Sequence, residues 1–272
     1  MSVKILGLEL TNICNLRCKT CYARESEREL KHMPYEEVCK LLEEGKELGM
    51  VHLTIGSSGE PTLYPKFLDV LKKATEMGYL IRFHTNGTYD SSMNREIAKA
   101  NISNIDFSID GLEPAHKRIR NSGKYEQIVN NAIELKKLRK PVRAYMCVMN
   151  QTEEEQKEFI EFWKSHGIQP MLDPYIENWE YKKFPIGSSK QIPDTCYKFN
   201  GGSVSVLVDG STTFCDADLA KTMRYGNVVR DGITGFLNNK EKKKYIENHK
   251  RFGKPMGEAC KNCKLVRGLK NE

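Results

Sequence analysis

Apolar runs and helix-period stretches take turns along the first two thirds of this 272-residue chain, and that alternation constrains its fold more than any other feature. Strand-like runs fall at residues 5–10, 51–55, 80–85, 104–109, 142–148 and 168–172. Amphipathic stretches lie between them at 33–49, 66–78, 93–100, 125–138 and 153–166. Val38, Leu41, Leu42 and Leu48 give the first helix an apolar stripe, and Gly49 ends it. Repeated strand-then-helix units predict an α/β fold with a parallel sheet, because parallel neighbours need a crossover and a helix is the usual one. Right-handed crossovers either wind an open sheet or curl towards a barrel, and the pattern leaves both open. Either way the C-terminal ends of the strands share one rim, where the polar turns at 14–21, 57–61, 85–87 and 108–111 would meet.

From about Asp173 the alternation stops. Pro174, Pro185, Gly187 and Pro193 mark an irregular connector, followed by a hairpin pattern at 204–214 turning at Asp209-Gly210 and a lysine-rich helical stretch near 240–250. This divides the chain into residues 1–175, a connector at 176–195 and a C-terminal unit at 196–272. No stretch reads as a signal peptide or is long enough to cross a bilayer, so a soluble, cytoplasmic protein is expected. In that compartment nine cysteines read as metal ligands rather than disulfides. The formal charge of +7, with lysines gathered at 242–244 and towards the end, reads as a solvated basic surface or as attraction for an anionic substrate, acidic peptide or electron-donor protein. Neither a nucleic-acid nor a membrane partner is expected.

Cys14-Asn15-Leu16-Arg17-Cys18-Lys19-Thr20-Cys21 follows the first strand. Three thiols in eight residues can converge on one metal centre, and three ligands leave a four-iron cluster with one open iron. Zinc or a redox thiol site is the competing reading of the loop alone. The spacing Cys-x3-Cys-x2-Cys resembles that of the radical S-adenosylmethionine (SAM) enzymes. Ser58-Gly59-Glu60-Pro61 is similar to that family's Gly-Gly-Glu-Pro segment, with serine in place of the first glycine, and Ser108-Ile109-Asp110-Gly111 to its Ser-x-Asp-Gly. The resemblance implies a partial (β/α)6 TIM-like barrel and a 4Fe-4S cluster on Cys14, Cys18 and Cys21. It implies that Glu60 binds the SAM amino group, that Ser108 and Asp110 contact its ribose or carboxylate, and that Arg120 pairs with the carboxylate. Asn86 lies on the same rim and joins this cofactor-binding set. Thr20 stands where relatives often carry an aromatic residue, and Tyr22 would take its place against adenine.

Cys196, Cys215, Cys260 and Cys263 provide four further thiolates, enough to close a metal site; spacing alone admits structural zinc or a cluster. Their pattern resembles the first part of the auxiliary-cluster domain called SPASM, and its shortened twitch form in particular, which implies a second 4Fe-4S cluster in a small C-terminal β-hairpin and helix domain. The implied chemistry is reductive cleavage of SAM to a 5'-deoxyadenosyl radical, hydrogen abstraction from a substrate and net oxidation with the auxiliary cluster as electron acceptor. A flavodoxin or ferredoxin would donate the starting electron.

The chain shows no segment ahead of its first strand that would recognise a peptide leader, which favours a small polar substrate of amino-cyclitol or sugar type over a ribosomal peptide or protein side chain. Cys147, near the rim end of the fifth strand, is a packing residue or a hydrogen donor that would make the reaction a redox-neutral epimerisation. Cys39 and Trp163 read as core, and Trp179 and Tyr181 as connector residues able to cover a substrate. A non-catalytic iron-sulfur or zinc-stabilised binding protein is the reading from another class.

Overall fold

In the central parallel strands one set of alternate residues is apolar and buried, and the other set is largely polar. A computed structural model of the chain describes residues 4–21, 28–56, 58–174, 203–213, 224–240, 243 and 247. Strands β1 (Ile5–Leu8), β2 (His52–Ile55), β3 (Leu80–Thr85), β4 (Ile102–Ser108), β5 (Val142–Val148) and β6 (Gln169–Pro174) are separated by helices α1 (Tyr35–Glu47), α2 (Phe67–Glu76), α3 (Met93–Lys99), α4 (Ala115–Arg120), α5 (Tyr125–Lys137) and α6 (Glu153–Ser165). Leu53, Ile55, Ile81, Phe83, Ile105, Phe107, Ala144 and Met146 are wholly buried. Phe83 meets Phe67 of α2 edge-on at 5.3 Å between ring centres. Burial of such a side chain stabilises by about 1.5–3 kcal/mol, so this layer carries most of the fold.

All pairings from β1 to β6 are parallel and run in chain order. The sheet then continues past β1 through β7 (Ser203–Val206), β8 (Ser211–Thr213) and β9 (Arg224–Asn227), giving the order β6-β5-β4-β3-β2-β1-β7-β8-β9. It is an open sheet with β6 and β9 as its edges among the described residues, matching the expected partial barrel rather than a closed one. The hairpin pattern is present, with β7 antiparallel to β8. Its first strand also pairs in parallel with β1, Leu8 opposite Val206, so the C-terminal unit grows directly out of the sheet that carries the cysteine loop.

Two helices differ from the sequence reading. Helix α4 is only six residues long, and its span between Gly111 and Gly123 has too little periodicity to announce it. Helix α7 (Val228–Asn238) lies ahead of the lysine-rich stretch and buries Val228, Ile233 and Phe236. Cys39, expected in the core, is half-buried on α1. Trp163 is wholly buried, as its position on α6 suggested. Among the described residues no helix is long and apolar enough to cross a membrane.

Candidate active site

The strand ends that the sequence placed on one rim do meet there. Gly59 packs so closely on the entry to the cysteine loop that a Cβ would lie 2.5 Å from the Thr11 carbonyl oxygen and 2.7 Å from that of Ile13. Glu60 N–H donates to the same Ile13 oxygen at 2.9 Å. Only glycine permits this approach, and it sets Glu60 beside the thiols.

Glu60 is 2% exposed. Its Oε1 accepts from Thr62 N–H at 3.2 Å, from Thr62 Oγ1 at 2.8 Å and from Thr85 Oγ1 at 2.8 Å. Oε2 accepts from Asn86 N–H at 2.6 Å alone. Burial pushes its carboxyl above the ordinary glutamate range despite these donors. An approaching ammonium group would reverse that, and Oε2 retains acceptor capacity for one. Asn86 does more than sit on the rim. Its Nδ2 donates to Asn15 Oδ1 at 2.9 Å and reaches Cys14 Sγ at 3.8 Å, while its Oδ1 accepts from Thr88 N–H at 2.9 Å. Asn15 closes the ring through Thr88 Oγ1 at 2.8 Å.

On the other side of the loop, Asp110 is fully buried and accepts from Arg120 Nε at 2.7 Å on Oδ2 and from Cys147 N–H at 2.7 Å on Oδ1. Arg120 in turn reaches Cys18 Sγ at 3.9 Å through Nη1. Gln151, 6% exposed, donates to the backbone oxygens of Asp110 and Cys147 at 3.2 and 3.0 Å and fastens the two strand ends together. Ser108 lies on the same face of β4, opposite Tyr145 in register.

Cys14, Cys18 and Cys21 are free thiols. Burial pushes Cys18 up to about 11, with Arg120 opposing and the neighbouring thiols adding to the rise, and burial likewise raises Cys14. Such thiols ionise when metal takes the proton's place. Leu16 N–H points at Cys14 Sγ at 3.5 Å, so donors to sulfur are already present. Among the described residues no three His, Cys, Asp or Glu side chains close on a single ion. A cluster makes no such demand, since each of its irons takes one thiolate. The thiol donors, the polar N–H groups aimed at them and the acceptor on Glu60 fit a 4Fe-4S cluster with SAM beside it.

Inward from the rim, the polar face of the strands forms a floor. Asp106, fully buried, accepts from Arg82 Nε at 2.6 Å and from Arg143 Nε and Nη2 at 2.7 and 3.0 Å, with His84 Nε2 at 3.5 Å. Tyr145 carries the Arg143 guanidinium over its ring at 5.2 Å. Cys147 shares this face, with Asp173 opposite it in register, and burial pushes its thiol up to about 12.

The sequence pattern of the radical SAM superfamily matches residues 8–162, more than half of the chain. The chain belongs to the radical SAM superfamily. A second pattern, that of the SPASM iron-sulfur cluster-binding domain, matches residues 196–264. This radical SAM enzyme therefore works with a 4Fe-4S cluster and SAM, and its C-terminal unit with further iron-sulfur. It is 35% identical over 117 residues to the tungsten-containing aldehyde ferredoxin oxidoreductase cofactor-modifying protein of Pyrococcus furiosus, a match covering 42% of this chain and 32% of that one. The chain thus spans about a third of that relative's length. It is 23% identical over 242 residues to GTP 3',8-cyclase of Limosilactobacillus fermentum, covering 84% of this chain and 68% of that protein. The fold of Streptococcus suis SuiB, solved with its precursor peptide SuiA, superposes with a TM-score of 0.75 at 16% identity over 98% of this chain and 71% of SuiB.

Of the residues expected from sequence, Glu60, Asn86 and Cys14 form one hydrogen-bonded group on one side of the cysteine loop, Asp110, Arg120, Cys147 and Cys18 form another on its other side with Cys21 N–H bonded to the Cys18 oxygen, and Ser108 lies next to the second. Tyr22, Cys196, Cys215, Cys260 and Cys263 lie outside the described residues, as do Trp179 and Tyr181. Asn15, Thr85, Gln151 and the Arg82-Asp106-Arg143 group were missed. A signal for the last was available: β3 reads Leu-Ile-Arg-Phe-His-Thr, and the period-2 charge in an otherwise apolar strand marks a polar inner face.

Proposed function

We propose that this chain is a radical SAM oxidoreductase acting on a small polar substrate, an amino-cyclitol or sugar-like alcohol, that lies on the polar face of β3 to β6. When bound, the cluster on Cys14, Cys18 and Cys21 together with SAM supplies a hydrogen-abstracting carbon radical, and a second 4Fe-4S cluster on Cys196, Cys215, Cys260 and Cys263, in a twitch-like arrangement, supplies an acceptor for the substrate's electron. Glu60 Oε2 takes the SAM amino group. Arg120, already oriented by Asp110, takes its carboxylate, and Asn86 holds the thiol end of the loop by bonding both Asn15 and Glu60. Tyr22 covers the adenine and Ser108 faces the ribose, while Asp110, expected to touch SAM itself, is fully buried with both oxygens taken and acts through Arg120. The barrel occupies residues 1–175, the connector 176–195 and the auxiliary domain 196–272. A cytoplasmic location and a flavodoxin or ferredoxin as electron donor accompany this reading.

The floor is the observation that carries the substrate class. Arg82, His84 and Tyr145 offer donors suited to hydroxyl groups, and the exposed Asp173 offers a carboxylate for an ammonium. Burial and the flanking arginines lower the pKa of His84, with Asp106 opposing, so its ring is neutral at pH 7 and can both donate and accept. A wholly apolar substrate would leave these groups unpaired.

The test is anaerobic reconstitution followed by SAM cleavage under reductant, in the presence of amino-cyclitols, amino sugars or short peptides deuterated on carbon. About eight irons and eight sulfides per chain are expected for two clusters, with deuterium passing from the polyol into 5'-deoxyadenosine. Zinc in the second site, or label transferred from peptides alone, rejects this reading.

A peptide substrate is the second reading, favoured by the fold shared with SuiB and by the place of Cys147 on the inner face. Its half-buried, protonated thiol is the form able to give up a hydrogen atom. Replacing Cys147 by alanine while following solvent deuterium into product separates the two: undiminished turnover with no label excludes epimerisation.

A further inference from the structure

One carboxylate outside the set assigned to the cofactors gathers donors from three distant parts of the chain. Glu9 lies just past β1 and is 1% exposed. Arg28, seven residues beyond Cys21, grips it with both terminal nitrogens: Nη1 reaches Oε1 at 3.1 Å, and Nη2 is in close contact with Oε2. Ser58 N–H donates to Oε1 at 3.2 Å, and Val208 N–H donates to Oε2 at 2.9 Å. Arg28 Nη1 also reaches Ser58 Oγ at 3.4 Å, so the serine that replaces the family's glycine is itself part of this group.

Each oxygen of Glu9 thus takes one arginine N–H and one backbone N–H. A carboxylate has about four acceptor positions, so none is left for a ligand, and the residue acts by placing others. What it places is specific. Ser58 stands two residues before Glu60, and Gly59 between them is already pressed on the 11–13 backbone. Arg28 is where the chain returns from the cysteine loop. Val208 opens the turn of the β7 to β8 hairpin, seven residues ahead of Cys215. A bidentate arginine contact fixes orientation as well as distance, so movement of one segment is felt at the other two.

We propose that Glu9 is a positioning residue that locks the Ser58 to Glu60 segment, the exit of the cysteine loop and the β7 to β8 turn into one unit, so that SAM bound on one side of the lock is sensed at the C-terminal iron-sulfur unit on the other. This rests on Glu60 facing SAM and is independent of the substrate. The reading of Glu60 is checked on its own by Glu60→Gln, which should weaken SAM binding whether or not the lock exists.

Hydrogen exchange of the loaded wild-type protein, with and without SAM, tests the lock with no substitution. Exchange in the segment 203–210 should slow at least about threefold on adding SAM, though that segment carries none of the residues assigned to SAM. An unchanged rate there, with SAM shown to be bound, overturns the proposal. In Glu9→Gln, which keeps the shape and presents an amide N–H to at least one of the donors, the SAM dissociation constant should rise about tenfold at unchanged iron in the first site, and the SAM-dependent protection of 203–210 should vanish. A lower melting temperature with SAM affinity and protection both intact would mean a merely structural role and equally overturns it. If Glu9→Gln does not fold, the wild-type exchange experiment decides alone.

Discussion

Asp106 and Asp110 stand four residues apart, both fully buried and both holding arginine, yet they prepare opposite kinds of surface. At the floor, Asp106 is outnumbered: it serves Arg82 and Arg143 and has His84 within 3.5 Å. Those arginine side chains are 38% and 20% exposed, so part of their hydrogen-bonding capacity faces whatever lies on the strands. At the rim, Asp110 is matched by Arg120 alone, whose side chain is 13% exposed, and its other oxygen takes the Cys147 N–H. The Asp110–Arg120 pair is satisfied within the protein and pre-orients Arg120. The floor leaves donors available. One strand thereby presents a rigid bed for a cofactor that is always the same and an adaptable bed for a substrate.

Asp110→Asn should have the largest effect. Removing one member of a buried, paired set costs about 3–5 kcal/mol because the partner stays buried and unpaired, and here the loss also frees Arg120 and Cys147 N–H together. A large drop in the denaturation midpoint and loss of SAM cleavage are expected. Asp106→Asn should cost less, about 1–3 kcal/mol, because solvent reaches the arginines it leaves behind. That variant should keep substrate-independent SAM cleavage while its substrate-dependent turnover falls. If the Asp106 variant instead loses SAM cleavage and the Asp110 variant keeps it, the division into rim and floor is wrong.

The cysteine loop and the Gly-Glu-Pro and Ser-x-Asp-Gly turns were legible because their residues act in short local runs at strand ends. The parallel sheet was legible because the outer face keeps an apolar set under helices, so Phe83 and Phe107 announce themselves. Glu9 and Gln151 were not. Each works by accepting or donating to backbone groups tens of residues or more away, Val208 N–H in one case and the Asp110 oxygen in the other, and no spacing in the chain records such a contact. The pairing of β7 with β1 was hidden for the same reason: a four-residue strand can be read locally, but its partner cannot. The polar floor was half legible, as alternation in β3 whose meaning depends on β4 and β5 lying alongside.

Acid sharpens the comparison, since each region contains an imidazole, fully buried at the rim and partly exposed at the floor. His116, on α4 at the rim, is fully buried with neither ring nitrogen hydrogen-bonded, and burial, with Arg120 adding to it, lowers its pKa to about 3. The unfolded chain binds that proton near pH 6.5 and the folded chain does not. Stability therefore has no contribution from His116 above pH 6.5 and falls as pH drops below it, by about 1.4 kcal/mol per unit, levelling off near the folded value. At the floor, Asp106 partly offsets the same tendency in His84. Denaturation midpoints of wild type and His116→Phe should diverge between pH 6.5 and 5.5, with the phenylalanine variant less sensitive to acid and as stable at pH 7.5. A wild-type slope that survives in His116→Phe would place the acid sensitivity elsewhere than at the rim.

The smallest expected effect asks whether the rim depends on the helix layer behind it. Thr152 Oγ1 accepts from Glu155 N–H at 3.2 Å, and Glu155 Oε2 accepts from Thr152 N–H at 2.8 Å, a reciprocal cap at the start of α6. The same Glu155 pairs with Arg118 at 3.1 Å, two residues before Arg120 on α4. Losing such a cap costs about 1 kcal/mol, and Thr152→Ala should lower the melting temperature by about 2–4 °C. The Glu155 to Arg118 pair is partly exposed and contributes under about 1 kcal/mol, too little to move Arg120 against a buried contact with Asp110. SAM affinity in Thr152→Ala should therefore match wild type. A weaker affinity at full iron content would show that Arg120 is positioned through α6 and Arg118 as well as through Asp110, and the rim would then be no more self-contained than the floor.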